Sequence, residues 1–231
     1  MPSTLITGAN RGLGLEFARQ YLADGWQVYA ACRDPQSASD LRRLADANDQ
    51  KLRIIALDVT DSTSVKAAVA ELEGRAIDVL INNAGAGGSR GQAIGNIDYE
   101  AWARVLDVNT LGAMRVAEAF VDNVAQSERK LIVTLTSGMG SITDNTSGGA
   151  FAYRSSKAAV NMVMRSLAID LAPRGITCVV VNPGWVLTDM GGPHATLTPA
   201  ESVTRLRRLI ETLGTAQSGK FFNYDGREYA W

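Results

Sequence analysis

The chain has 231 residues, 46% hydrophobic and 20% charged, enough for one α/β domain with a sizeable core. Its 23 lysines and arginines against 24 acids leave a formal net charge of -1, which removes the electrostatic case for nucleic acid or an anionic membrane as a partner. The cysteines Cys32 and Cys178 and the one histidine, His194, offer no metal-ligand cluster and no disulfide framework.

The first residues run straight into "STLITGAN", without a basic or cleavable leader pattern, and no apolar run reaches the roughly 18 residues of a spanning helix, so the expected location is the cytoplasm. Seven apolar runs read as strands: Thr4–Thr7, Gln27–Cys32, Leu52–Val59, Ile77–Gly85, Lys130–Ser137, Ile176–Gly184 and Lys220–Tyr224. Most are continuous rather than alternating, as in parallel strands buried on both faces. Helical patterns fill each gap. The expected fold is α/β: a single doubly wound domain, residues 1–231, with a seven-stranded parallel sheet.

"TGANRGLG" at Thr7–Gly14 follows the first strand and opens a helix near Leu13. Its glycines permit a tight turn and a close backbone approach to a pyrophosphate, which the helix-start N–H groups would hold. The spacing Gly8, Gly12, Gly14 differs from G-x-G-x-x-G, but strand, glycine loop and helix stand in a nucleotide-binding order. Cys32 ends the second strand, where an NAD enzyme of this fold usually carries an acid about 20 residues after the loop. Arg33 follows it and is suited to fork onto a 2′-phosphate, with Arg11 approaching from the other side. Asp34 would repel that phosphate, but "DP" starts turns, so its carboxylate is expected to point away.

"NNAG" at Asn82–Gly85 ends the fourth strand, where α/β ligands bind, and Gly85–Gly95 reads as a flexible loop. Tyr153 and Lys157 are four apart on a helix and share a face. A phenol titrates at ~10, too high for a good base near neutrality, and a neighbouring ammonium is expected to lower it. Ser137 ends the fifth strand, placed to hydrogen-bond an oxygen on which charge develops. The ten residues Asp189–Thr198, with Gly191, Gly192 and Pro193 among them, are expected to form an open, mobile lid. "TPAE" at Thr198–Glu201 is a capping box with proline at the first helical position, and Gly214 is expected to cap that helix's end. Arg205, Arg207 and Arg208 read as a solvated face.

"TGANRGLG", "NNAG", Ser137 with Tyr153-x-x-x-Lys157, and "PGWVLT" at Pro183–Thr188 together resemble the short-chain dehydrogenase/reductase family. "CRDP", "GSITDNTSGGAFAYRSSKAA" and "SGKFFNYDGREYAW" resemble its C-factor-like and carbonyl-reductase-like branch. The 16 residues from Ser137 to Tyr153 exceed the family's usual gap and imply an extended loop beside the site. The resemblance implies an NADP(H)-dependent enzyme that interconverts a small-molecule carbonyl and an alcohol. Tyr153 would be its acid/base, Ser137 its oxygen-binding hydroxyl, and Lys157 the charge beside the phenol and a ligand of the nicotinamide ribose. Asn109 in "DVNTLG" would order a relay water. Cofactor contacts are implied for Gly8, Asn10, Arg11, Gly12, Leu13 and Gly14, then Arg33, Asp58, Val59, Asn83, Ala84 and Gly85. Pro183, Gly184, Val186 and Thr188 follow, with Tyr153 and Lys157. The family's habits allow a homodimer or homotetramer. The C-factor likeness allows a second function, a nucleotide-binding signalling protein with weak turnover.

Overall fold

The computed structural model describes residues 1–48, 50–88 and 93–231. Residues 89–92 of the glycine-rich loop expected at Gly85–Gly95 lie outside the described residues. The strands are β1 (Ser3–Thr7), β2 (Gln27–Cys32), β3 (Leu52–Ala56), β4 (Val79–Asn82), β5 (Leu131–Leu135), β6 (Thr177–Asn182) and β7 (Phe221–Asn223). They pair in parallel in the order β3-β2-β1-β4-β5-β6-β7. Every residue of β1 and β5 is buried, because helices cover both faces; at the edge strand β3 only Leu52 and Ile55 are.

The helices are α1 (Gly12–Ala23), α2 (Ser39–Asp46), α3 (Ser62–Glu71), α4 (Tyr99–Leu106), α5 (Gly112–Ala119), α6 (Val121–Ala125), α7 (Phe151–Asp170) and α8 (Pro199–Thr212). Alternate strand residues feed two cores. On one face Leu5, Leu80, Ile132 and Val180 meet Val65 of α3, Val116 of α5 and Met164 of α7. On the other, Ile6, Ile81, Val133 and Val179 meet Phe17 of α1, Leu41 of α2 and Leu206 of α8. The result is the expected doubly wound α/β domain.

Several strands end earlier than their apolar runs suggest. After Asn82 the backbone amides of Asn83 and Ala84 turn to the Thr7 hydroxyl, each at 3.0 Å, and after Ala56 the amide of Asp58 turns to the Ser64 hydroxyl. Side chains there replace the strand ladder, which frees the carboxyl ends for a site.

The capping box at Thr198 and Glu201 forms as expected. Two other readings of α8 are corrected. Gly214 is not a left-handed cap: it is extended (φ -153), and its amide donates to the Gln217 side chain as the chain enters a short 3-10 turn. Arg207 is not solvated. Its guanidinium lies 4.5 Å from the Tyr21 ring centroid and donates to the Gln20 carbonyl and the Asp24 carboxylate, fastening α8 to α1. Arg205 and Arg208 are exposed. No helix of the described residues is long and apolar enough to cross a membrane.

Candidate active site

The strand order reverses between β1 and β4, and a cavity of about 700 Å³ opens over their carboxyl ends. That is the place where ligands bind in open α/β sheets, and the volume falls among cofactor sites of roughly 300–1,000 Å³. Gly8, Asn10, Arg11, Gly12 and Leu13 line one end, with Arg33, Asp58 and Val59 beyond them. Asn83, Ala84 and Gly85 form the floor, and Tyr153, Lys157, Pro183 and Thr188 close the other end.

The glycine loop fits close backbone packing. Gly8 is left-handed (φ +65), and a Cβ there would stand 2.9 Å from the Ala84 Cα. A Cβ on Gly14 would stand 2.3 Å from the Gly8 carbonyl oxygen and 2.6 Å from Asn83 Nδ2. Gly14 therefore permits α1 to press on the loop and does not itself line the cavity. Asn83 Nδ2 laces the same turn, donating to the carbonyls of Thr7 (2.8 Å) and Gly8 (3.1 Å). The N-cap of α1, Arg11, makes no side-chain cap, so the first-turn amides stay free for an anion. Glycines whose Cβ positions are filled, and an uncapped helix start, fit a nicotinamide dinucleotide.

At the far end Arg33 is exposed beside Asp58. Burial pushes the Asp58 carboxyl up. Hydrogen bonds from Thr60, with the Arg33 and Arg115 charges, outweigh it and leave it below its usual range. Asp34 turns away as expected: its Oδ1 accepts from the amides of Gln36 (3.0 Å) and Ser37 (3.3 Å), and it does not line the cavity. Arg11 differs from the expectation that it faces a 2′-phosphate. Its Nη1 pairs with Asp189 Oδ2 at 2.9 Å, both side chains exposed.

Tyr153 and Lys157 stand on one face of α7, with Lys157 Nζ 5.8 Å from the phenol ring centroid. Lys157 is buried, and its Nζ donates to the Leu135 carbonyl at 2.8 Å. Burial lowers its pKa to about 8. The Tyr153 pKa is raised, not lowered as expected: burial dominates, and the facing Ser137 hydroxyl only partly offsets it. The ammonium spends its reach on Leu135. Ser137 is in extended backbone after β5, its Oγ accepting from the Met139 amide at 3.1 Å. The turn behind it must be small, since a Cβ on Gly140 would meet the Lys157 Cβ at 2.8 Å.

Asn109 lies in a single π-helical turn, Asp107–Leu111, a distortion that recurs at functional sites. Its Oδ1 accepts from the Ala86 amide (2.7 Å), and its Nδ2 donates to the Ala86 carbonyl and the Ser156 hydroxyl, both 2.9 Å. Both amide hydrogens are engaged, so the side chain clamps the loop beside Lys157. Ser156 in turn donates to the Tyr153 carbonyl at 2.8 Å. Sequence reading missed Ser156 and Thr7; the position of each hydroxyl beside a singled-out motif was the only signal.

The segment after β6 is folded on itself rather than open. Leu187 donates to Leu197 (2.8 Å), Leu197 to Trp185 (3.0 Å) and Gly192 to Thr188 (2.8 Å), and the Trp185 indole donates to the Gly191 carbonyl (2.8 Å). Ten residues suffice for a lid because these bonds replace packing. Leu187 and Met190 line the cavity, and His194 is exposed. Val186 and Gly184 lie behind the wall: Val186 is buried, and a Cβ on Gly184 would meet Leu197 at 2.7 Å.

A family model for short chain dehydrogenases matches residues 3–196. C-signal of Myxococcus xanthus is 48% identical over 155 residues, 67% of this chain and 93% of that protein. A 1-hydroxy-2-glutathionyl-2-methyl-3-butene dehydrogenase of a Rhodococcus species is 34% identical over 100% of both. Among solved structures, an NADPH-bound carbonyl reductase from chicken fatty liver matches at TM-score 0.93 and 37% identity, covering 100% of this chain and 99% of that one. The carbonyl reductase Sniffer of D. melanogaster matches at TM-score 0.94 and 35% identity over 100% of both. Sequence and fold agree, and the chain belongs to the short-chain dehydrogenase family.

Proposed function

We propose that this oxidoreductase uses NADP(H), in preference to NAD(H), to interconvert a ketone or aldehyde and the corresponding alcohol. The observation that carries the reading is that Tyr153, with the Ser137 hydroxyl against it, and Lys157 line the same cavity as the glycine loop. The amides of Gly12 and Leu13 would hold the cofactor's pyrophosphate, Arg33 its 2′-phosphate and Lys157 its nicotinamide ribose. When bound, the nicotinamide supplies the hydride.

In the reducing direction Tyr153 donates its hydroxyl proton to the substrate oxygen. Burial raises the Tyr153 pKa, so the phenol holds its proton at neutral pH and is in the form a proton donor requires. Ser137 donates a hydrogen bond to the same oxygen as charge develops. Asn109 holds the Ala86 loop beside Lys157 through its amide, where the family resemblance implies a relay water. Leu187 and Met190 give the substrate end an apolar wall suited to bulky carbonyl compounds. The buried free thiols Cys32 and Cys178 suit a reducing cytoplasm.

Following NADPH absorbance with aldehydes, ketones and quinones tests the reading, and turnover is expected. The 48% likeness to C-signal favours a second reading, a protein that binds the nucleotide and signals with little chemistry. Tight NADPH binding without turnover on any carbonyl would select it.

A further inference from the structure

Helix α7 carries the catalytic pair, yet its start breaks the local rules for beginning a helix. Its N-cap is Ala150, left-handed at φ 45 and ψ 41, with no side-chain cap and no acid in the first turn. Gly148 (φ 64) and Gly149 (φ 63) precede it, also left-handed, and no atom of the described residues lies within 4 Å of where their Cβ atoms would stand. Of these three, Ala150 carries a Cβ in left-handed backbone and is strained, while the glycines adopt it freely and leave the corner soft. Tyr153 is only the third residue beyond it, where an uncapped helix frays.

Arg154 is the side chain that closes this corner. A cation near a helix N-terminus is disfavoured by the helix dipole. Even so, the guanidinium folds back over the helix start. Nε donates to the Gly148 carbonyl at 3.0 Å and Nη2 to the Ser147 hydroxyl at 2.7 Å. Nη1 reaches the Met139 carbonyl at 3.5 Å, two residues after Ser137. One guanidinium thus spans the loop between Ser137 and Tyr153 and touches the segments that present both. Phe151 stacks on Trp102 from the other side at 6.3 Å, which leaves the corner itself to Arg154 and to the bond from the Gly148 amide to Asn145.

We propose that Arg154 is a positioning residue, which holds the corner at Ser147–Ala150 so that the Tyr153 hydroxyl stays registered against Ser137. The inference rests on the reading of Tyr153 as the proton donor. The test compares the unmodified protein with Arg154→Ala, Arg154→Lys, Ser147→Ala and Tyr153→Phe, measuring ketone reduction, NADPH affinity by fluorescence and amide hydrogen exchange. Arg154→Ala should lower kcat by about 10–100-fold, the scale of a small misplacement of the reacting group. NADPH affinity should hardly change, while exchange should rise at residues 155–157, whose amides make the first turn's helical bonds. Millimolar guanidinium chloride should restore part of kcat where sodium chloride does not, and Arg154→Lys should recover less than guanidinium does. Should Arg154→Ala fail to fold, Ser147→Ala removes the shortest partner alone and should show a smaller kcat loss of the same kind. An unchanged kcat in the variants, or a loss matched by weakened NADPH binding and indifferent to guanidinium, would overturn the proposal. If Tyr153→Phe keeps its kcat, the proton-donor reading fails instead, whatever Arg154 does.

Discussion

The glycine loop after β1 and the corner before α7 both lead the chain through left-handed residues into a helix, and they are held by opposite means. At the first, the glycines are hemmed in by close packing: Gly14 against the Gly8 carbonyl and Asn83 Nδ2, Gly8 against the Ala84 Cα, with Thr7 and Asn83 lacing the turn to β4. At the second, an added Cβ on Gly148 or Gly149 would meet none of the described residues within 4 Å, and side-chain hydrogen bonds from Arg154 do the holding. A cradle for a bound anion needs fixed amides, which rigid packing supplies. The corner before α7 ends an exposed loop, residues 142–150, and there a polar clamp takes the place of packing.

Five changes break or sharpen that contrast, the largest first. Tyr153→Phe should lower kcat by about 10²–10⁴-fold, the usual contribution of a general acid, while NADPH binds as before. Steady-state kinetics beside a fluorescence titration checks it, and a kcat equal to the unmodified protein's would sink the assignment.

Lys157→Met should remove turnover and weaken NADPH, yet raise stability at neutral pH. The buried ammonium has its pKa lowered from 10.5 to about 8, so below pH 8 the folded protein carries a desolvated charge. As pH rises from there toward 10.5 the folded state gives up that proton before the unfolded one does, and the wild type gains stability. The methionine variant avoids a cost on the order of 3 kcal/mol, less what the bond to Leu135 returns. Thermal melts should show its advantage at pH 7 and its disappearance near pH 10; a constant difference between the two proteins contradicts the account. The same titration should make ketone reduction fall as pH climbs through about 8.

Arg33→Ala should weaken NADPH by about 10–150-fold, the effect of one hydrogen bond to a charged group, and leave NADH nearly unchanged. Equal dissociation constants for the two cofactors in the unmodified protein count against it.

The smallest pair addresses the two turns directly. Gly14→Ala should cost about 1–3 kcal/mol through overpacking and should impair nucleotide binding, because the loop must shift. Gly149→Ala meets no neighbour and should cost only about 1 kcal/mol of left-handed strain, with NADPH affinity intact. Urea midpoints and titrations of both variants decide; the reverse ranking would show that the two turns are not held as described.

Much of the site was legible from residue type and spacing. Glycines at Gly8, Gly12 and Gly14 after a strand imply a close approach, and the four-residue step from Tyr153 to Lys157 implies a shared face; both follow from local geometry. The direction of the Tyr153 shift was not legible. It depends on how far the fold buries the phenol and on Lys157 Nζ being drawn to the Leu135 carbonyl, 22 residues away in the chain. The pairing of Arg11 with Asp189 and the stacking of Arg207 on Tyr21 were hidden for the same reason: each partner is more than 170 residues distant.

By itself the sequence determined the elements and their alternation, since a parallel sheet covered on both faces needs continuous apolar runs separated by amphipathic helices. It also determined which residues have the chemistry for a nucleotide and a proton. The tertiary structure decided where each strand stops, which glycines line the cavity and which only permit packing, and what each charged group faces. Those outcomes depend on distances between segments remote in the chain. Side-chain bonds such as Thr7 to Ala84 and Asn109 to Ala86 compete there with the regular ladder, and folding alone brings the partners within reach.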